Sequence, residues 1–455
     1  MKTRSTIDAT TAGEATLAAS TKSHPKGLYV LFATEMWERF SFYTMLAMFT
    51  LYLRDTTGQG FGWSVDQATG LYSNYLMFVY ASPLVGGWLA DRKLGYRRAV
   101  MIGGLFFMAG HLLLSFRSIP LVYAALACLV IGNGLFKPNV STMVGNLYPE
   151  GSHLKDRAYT IFYMGINVGA FLAPVVAEFV QGRWGYHPAF AVATGGMAIS
   201  VWILWKFKRH VQNVDQPRSR AEEGASNAAA VTVDAPPASV SHQRAIERVP
   251  DWKRVGALVV IFIIVIIFWM VFHQNGSTMT YWGNENTDWQ VSGIISNAIG
   301  PGWVLLLTFP LVAFWNWLDG KGLEPSTPTK MAFGMMLTSA AFLVLYVGAK
   351  VGEASVTGSN PYEFKVSPAW LVGAYGVVTL GELMLSPMGL ALVSKVAPQR
   401  MRGVMMGGWF AATAIGNKLT QIGELWDDWL HSTFWLLLSP APCSWRSSYS
   451  SCYGP

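Results

Sequence analysis

The sequence predicts an all-α polytopic membrane protein of two six-helix bundles, on three observations. The 455 residues are 52% hydrophobic and only 13% charged, against about 25% charged in soluble domains. Apolar stretches of roughly 20 residues, the length that crosses a bilayer, recur along nearly the whole chain. Basic segments fall at alternate helix ends, as expected where cytoplasmic loops collect lysine and arginine. The net charge of +7 is explained by those loops, and no nucleic-acid partner is expected.

The spans follow in order. A polar stretch, 1–26, precedes the first span, near 27–53, which has charges in its middle and so makes a poor signal peptide. The next spans lie near 67–90, with Pro83 to Gly86 at a potential bend, and near 97–116. Three more lie near 119–145, with Cys128 and Lys137, and near 157–180 and 187–208. The first bundle thus occupies 27–209. Residues 210–252 are rich in Ala, Ser, Pro and charge with no apolar period, which reads as a flexible linker. The second bundle, 253–438, holds spans near 254–282, 292–318, 330–349, 367–394 and 402–424 and a twelfth starting near 431. HSTFWLLL begins that helix, but SPAPCSWRSSYSSCYGP has the wrong composition to finish a span. The atypical tail, 439–455, is expected to reflect truncation or a lost reading frame.

DRKLGYRR, KFKRH, WNWLDGKGLEPSTPTK and KVAPQRMR are basic, whereas DTTGQGFGWSVDQ, GNENTDWQ and WDDWLHS are acidic or polar. The positive-inside rule then puts both termini and the linker in the cytoplasm of a multi-pass inner (plasma) membrane protein. Two halves joined in this way suggest a transporter plan, with a site between them near the midplane.

The functional signal is charge where none is expected. EMWERFSFY places Glu35, Glu38 and Arg39 inside the first apolar span. A charge at the centre of a membrane helix costs about 2.5–3.5 kcal/mol on insertion scales. The i,i+3 and i,i+4 spacings put all three on one helical face, which must look into protein or a wet cavity. A self-neutralising structural pair would not need the third charge. Lys137 in the first half and Glu382 in the second are isolated charges of opposite sign, and His273 lies in another apolar span. Across a central cavity Lys137 and Glu382 would clamp a zwitterion, both of whose ends need partners. Asn167 and Asn297 offer neutral hydrogen bonds. Tyr43, Tyr80, Trp269 and Trp409 offer pocket walls, with helix packing the plainer role for each, and Ser386, before Pro387, joins the candidate pocket.

These segments, EMWERFSFY, FKPN, FYMGINVGAF, FWMVFHQNGS, GELMLSPMGL and MMGGWFAATAIGN, in order from about 27 to about 438, resemble the proton-dependent oligopeptide transporter family of the major facilitator superfamily. GGWLADRKLGYRR resembles the superfamily's basic loop between the second and third helices. The resemblance implies symport of di- and tripeptides with protons. It implies a first-helix proton and salt-bridge cluster of Glu35, Glu38 and Arg39 with Lys137 as partner. Arg39 and Lys137 would meet the peptide carboxylate. Glu382, Asn167 and Asn297 would hold its amino group, and Tyr43 and Trp269 would line the pocket. Some bacterial members carry two extra helices between the halves; the polar linker here implies the twelve-helix form.

Two departures stand out. His273 occupies the position where the family usually has a glutamate that takes a proton, so His273 is a candidate proton-coupling residue. Leu46 replaces a first-helix arginine of the family's YYGMR pattern. Losing one member of such a pair would strand a buried charge, whereas losing both leaves no orphan. Phe42 also stands for a more usual tyrosine. A substrate drifted to nitrate, another organic anion or a peptide-like drug is therefore the first alternative, although Glu382 disfavours a simple anion. A membrane peptide receptor is the second, but no sizeable soluble signalling domain is visible. No P-loop, nucleophile elbow or metal-spaced cluster appears, so no catalytic residues, no metal and no cofactor beyond a driving proton gradient are expected. The expected partners are small peptides, protons and membrane lipid, and the chain is expected to act as a monomer.

Overall fold

The computed structural model describes residues 24–148, 153–215, 249–358, 360–398 and 401–439. The first half holds α1 (Lys26–Arg54), α2 (Val65–Leu89), α3 (Tyr96–Leu114), α4 (Ile119–Asn146), α5 (His153–Trp184) and α6 (Tyr186–Lys206). The second holds α7 (Asp251–Phe272), α8 (Thr278–Glu285), α9 (Ser296–Asp319), α10 (Thr327–Ser355), α11 (Pro368–Val396), α12 (Arg402–Leu419) and α13 (His431–Leu438). Eight helical segments among the described residues are long and apolar enough to cross a membrane, counting Asp251–Glu285 as one. Helix α1 is not among them, because Glu35, Glu38 and Arg39 break its apolar run. Helix α13 has 8 residues, about 12 Å at 1.5 Å per residue, well short of a hydrocarbon core of about 30 Å. The expectation about residues 440–455 lies outside the described residues.

Within the first half α1 packs on α5 and α6, and α4 on α2 and α3; within the second α10 packs on α11 and α7 on α12. Small residues allow the closest crossings. A Cβ on Gly86 of α2 would lie 1.9 Å from the Gly134 carbonyl oxygen of α4, so only glycine permits that approach. The halves meet along two seams, α2 against α12 and α5 against α9.

The span expected near 254–282 is not one continuous helix. It breaks between α7 and α8 through a 3-10 turn, His273–Gly276, with Ser277 at φ −132° and ψ −97°. The first half holds this break open. Thr50 Oγ1 donates to the Gly276 carbonyl at 3.0 Å and the Tyr72 hydroxyl to the His273 carbonyl at 3.4 Å. Backbone groups freed inside a membrane need such partners. A Cβ at Gly276 would lie 2.0 Å from the Tyr72 hydroxyl.

The start of the expected linker is also ordered. Val211 and Val214 are buried. Asp215 accepts from the Arg97 backbone N–H at 2.6 Å and from its guanidinium at 3.1 Å, capping the N-terminus of α3, where Gly95 offers no side chain. Residues 216–248 of that linker lie outside the described residues. We call the face with Lys26 and the linker start proximal, and the face with the 55–64, 286–295 and 420–430 connections distal.

Candidate functional site

The face of α1 predicted to be charged is buried: Glu35, Glu38 and Arg39 are at most 3% exposed. Its three groups are not equivalent. Glu38 accepts from Arg39 Nε and, at 2.6 Å, from Nη2. That fork-on-fork pairing is the strong arrangement for a guanidinium and a carboxylate. Glu35 reaches Arg39 only at 3.4 Å through Oε1, and its buried Oε2 has no hydrogen-bond partner. Arg39 also donates to Asn133 Oδ1 at 3.5 Å, and Asn133 Nδ2 is fixed by the Val79 carbonyl at 2.7 Å. The Arg39 guanidinium lies over Phe42 at 4.8 Å. Glu38 and Arg39 therefore form a closed, neutral unit, while Glu35 keeps an open acceptor facing the interior.

Lys137 on α4 faces the same cluster, close enough to feel Glu35, Glu38 and Arg39. Its ammonium sits 4.8 Å from the centre of the Tyr80 ring, within cation–π range. The Tyr80 hydroxyl is 3.2 Å from His273 Nε2, and His273 Nδ1 is 3.3 Å from the Trp269 carbonyl. A carbonyl can only accept, so Nδ1 carries the hydrogen. In the neutral ring Nε2 then accepts from the Tyr80 hydroxyl. Both contacts are satisfied without a charge on His273. Leu46 lies in the apolar core at 7% exposure, so neither replaced position strands a charge.

Tyr80, Trp269 and His273 pack as one aromatic group, with centroids 5.1–6.3 Å apart. The Trp269 indole N–H is buried without a partner. Tyr43 lies beside Arg39, 6.0 Å from guanidinium carbon to ring centre. Glu382 on α11 is half-buried and lies within electrostatic reach of Tyr43, Tyr80 and Tyr163. Asn167 donates to the Tyr163 carbonyl at 2.9 Å and Asn297 to Thr280 Oγ1 at 2.9 Å, which leaves both side-chain carbonyls as potential acceptors. Trp409 is packed with Phe268, Leu385 and Met405 in the second-half core. The Ser386 side chain lies outside the described residues. No group of three or more His, Cys, Asp or Glu that could hold a metal is present among the described residues.

Several residues at the seam carry no mark in the sequence. Arg54 bonds Glu285 at 2.7 Å, lies 3.9 Å from Asp427 and stacks over Tyr281 at 4.3 Å. Desolvation holds the Asp427 carboxyl above its ordinary range, against the pull of Arg54. Thr69 bonds the Tyr281 hydroxyl at 3.2 Å. Ser292 donates its backbone N–H to Glu178 at 2.7 Å, and its hydroxyl to the same carboxylate. These contacts, with those of Thr50, Tyr72 and Tyr80, join the halves from mid-depth to the distal face.

Comparison with known proteins agrees with this geometry. A sequence profile for the Major Facilitator Superfamily matches residues 31–419. An uncharacterized transporter, YclF of Bacillus subtilis, is 31% identical, covering 89% of this chain and 88% of its own. A di-/tripeptide transporter of Lactococcus lactis is 30% identical, covering 88% and 89%. A crystal structure of a peptide transporter, POT, in complex with sulfate superposes with a TM-score of 0.77 at 28% identity, covering 94% of this chain and 96% of that one. The chain belongs to the proton-dependent oligopeptide transporter family of the Major Facilitator Superfamily. The family is one of membrane transporters, not enzymes, and the all-α two-bundle architecture is the superfamily's own.

Proposed function

We propose that this protein imports di- and tripeptides across the cell membrane with protons, by alternating access. The observation that carries the reading is the charge distribution across the seam. Arg39 and Lys137, on the first half, supply cations, and Glu382, on the second, supplies the facing anion. A free peptide has a charge of each sign at its ends and satisfies both. The peptide names of the relatives support the same substrate class. Asn167 and Asn297 assist at the amino end, and Tyr43, Tyr80 and Trp269 shape the wall.

Proton coupling is assigned to the α1 cluster. Glu35 is the carrier, because its free buried oxygen can hold a proton without breaking the Glu38–Arg39 pair. When Glu35 is ionised it draws on Lys137, in competition with the peptide carboxylate. When protonated it releases that ammonium. His273 is a neutral bridge between the halves through Tyr80, not a carrier.

The bundles are residues 27–209 and 253–438, joined by a cytoplasmic linker, 210–252, with both termini in the cytoplasm and the monomer as the working unit. In that orientation the distal face, where Arg54–Glu285 and Glu178–Ser292 join the halves, is external. A second reading, a drifted peptide-like substrate, draws on the Tyr80–His273 bond and the buried Phe42. Counterflow tests both readings. Liposomes loaded with dialanine should take up labelled dialanine without any pH gradient; absence of exchange with dialanine, but exchange with a peptide-like drug, favours the second.

A further inference from the structure

The Arg54–Glu285 ion pair is not the sole tie across the distal face. Glu285 closes α8, and Ser292 follows seven residues later, just before a 3-10 turn, Gly293–Ile295, that leads into α9. The first half grips this short segment at both ends. Arg54 of α1 holds Glu285. Glu178, in the last two turns of α5, accepts both the backbone N–H and the hydroxyl of Ser292. Ser292 in turn caps the 3-10 turn, accepting the Ile294 N–H at 3.2 Å, so Glu178 is coupled to the entry of α9. Between its two anchors the segment is stiffened from its own half. Asn286 Nδ2 donates to the Tyr362 carbonyl at 3.0 Å. The Val366 N–H donates to the Asn286 carbonyl at 2.8 Å, and the Asp288 N–H to the Val366 carbonyl at 2.9 Å.

We propose that residues 285–292 form a strap over the distal mouth and that Glu178 is its second latch, a positioning residue for the transport cycle that holds the distal face closed. The proposal rests on the alternating-access reading. The physical reason is leverage. A segment tied at one end by Arg54 can swing about that tie, whereas a braced segment tied at both ends moves only with its whole half. A carboxylate receiving two hydrogen bonds from one residue is a directional contact. It also lies on the α5–α9 seam, whereas Arg54 belongs to α1. Opening the distal face must break both ties, and neither involves a residue of the central pocket.

The test measures opening without substrate, so its failure would leave the peptide reading untouched. Nitroxide labels go on Thr56→Cys in the α1–α2 loop and Lys365→Cys in the α10–α11 loop, both exposed positions on the distal side. Cys128, Cys443 and Cys452 are first replaced by serine. Double electron–electron resonance is recorded on the full chain in liposomes, with Arg54→Gln as a variant that also loosens the strap. Glu178→Ala should raise the ratio of the longer to the shorter distance population by at least about tenfold, because it removes both hydrogen bonds to the carboxylate. Glu178→Gln keeps one acceptor and should shift it less. Ser292→Ala added to Glu178→Ala should shift it no further. A distribution in Glu178→Ala and Glu178→Gln unchanged from the parent, with Arg54→Gln opened, would overturn the second latch. Unchanged distributions in all three would overturn the strap as a whole.

Discussion

The division of labour within the α1 cluster predicts unequal consequences for two substitutions of the same kind. Glu35→Gln removes a carboxylate whose only contact with Arg39 is at 3.4 Å and whose other oxygen is unpartnered. Arg39 keeps both bonds to Glu38, so stability should change by less than about 1 kcal/mol, the scale of a weak polar contact. Glu38→Gln removes the ionised acceptor of both strong bonds and should cost about 1.5–3 kcal/mol, the range for hydrogen bonds to charged groups. Glu35 then has to take over Arg39. The double substitution leaves that guanidinium with no carboxylate on α1, and an unpaired buried charge costs about 3–5 kcal/mol. The double loss should therefore exceed the sum of the single losses. Tryptophan-fluorescence thermal unfolding in detergent reads the order, and uptake in liposomes reads function. Both single variants should lose proton-driven accumulation, Glu35→Gln by loss of the carrier and Glu38→Gln because Glu35 is captured by Arg39. Only Glu35→Gln should keep near-parental stability and counterflow. A Glu35→Gln variant less stable than Glu38→Gln, or a strictly additive double variant, would refute the assignment.

Three further outcomes follow from the same geometry. Glu382→Gln should abolish uptake of free dipeptides while weakening binding of N-acylated ones much less; equal losses for both ligands, in competition binding, would exclude an amino-group contact. His273→Gln should leave the pH profile of uptake between about 5.5 and 7.5 in place, the interval in which an ordinary histidine titrates, because the neutral ring already satisfies its two contacts; a profile flattened over that interval would make His273 a carrier. Gly276→Ala should destabilise the protein by about 1–3 kcal/mol, the usual cost of overpacking, since its Cβ would meet the Tyr72 hydroxyl at 2.0 Å; Tyr72→Phe should restore part of that loss in the same thermal assay, and no restoration would show that the clash lies elsewhere.

What the sequence made legible was whatever departs from an apolar background. Glu35, Glu38, Arg39, Lys137 and Glu382 stand out because a charge inside a spanning helix is costly, and the structure draws the first four into one cluster. Eight of the spans were readable from length and apolarity. The seam was not. Arg54, Glu178, Glu285 and Asp427 lie near helix ends, where charges are ordinary, so nothing in their setting signals a tie between halves. Asn133 carries no mark in IGNG, although its side chain also meets Arg39. The break at His273–Ser277 was missed because its cause is remote: Thr50 and Tyr72, more than 200 positions away, satisfy the freed carbonyls. FWMVFHQNGS alone carries no proline to announce it.

The central claim is that peptide and proton cross together, and the most direct measurement follows the proton. Proteoliposomes loaded with a pH-sensitive dye are prepared at equal pH inside and outside, with the membrane potential clamped by potassium and valinomycin. Dialanine added outside should acidify the lumen, reversed by a protonophore and absent with Glu35→Gln. Entry of labelled dialanine with no accompanying acidification would contradict the account.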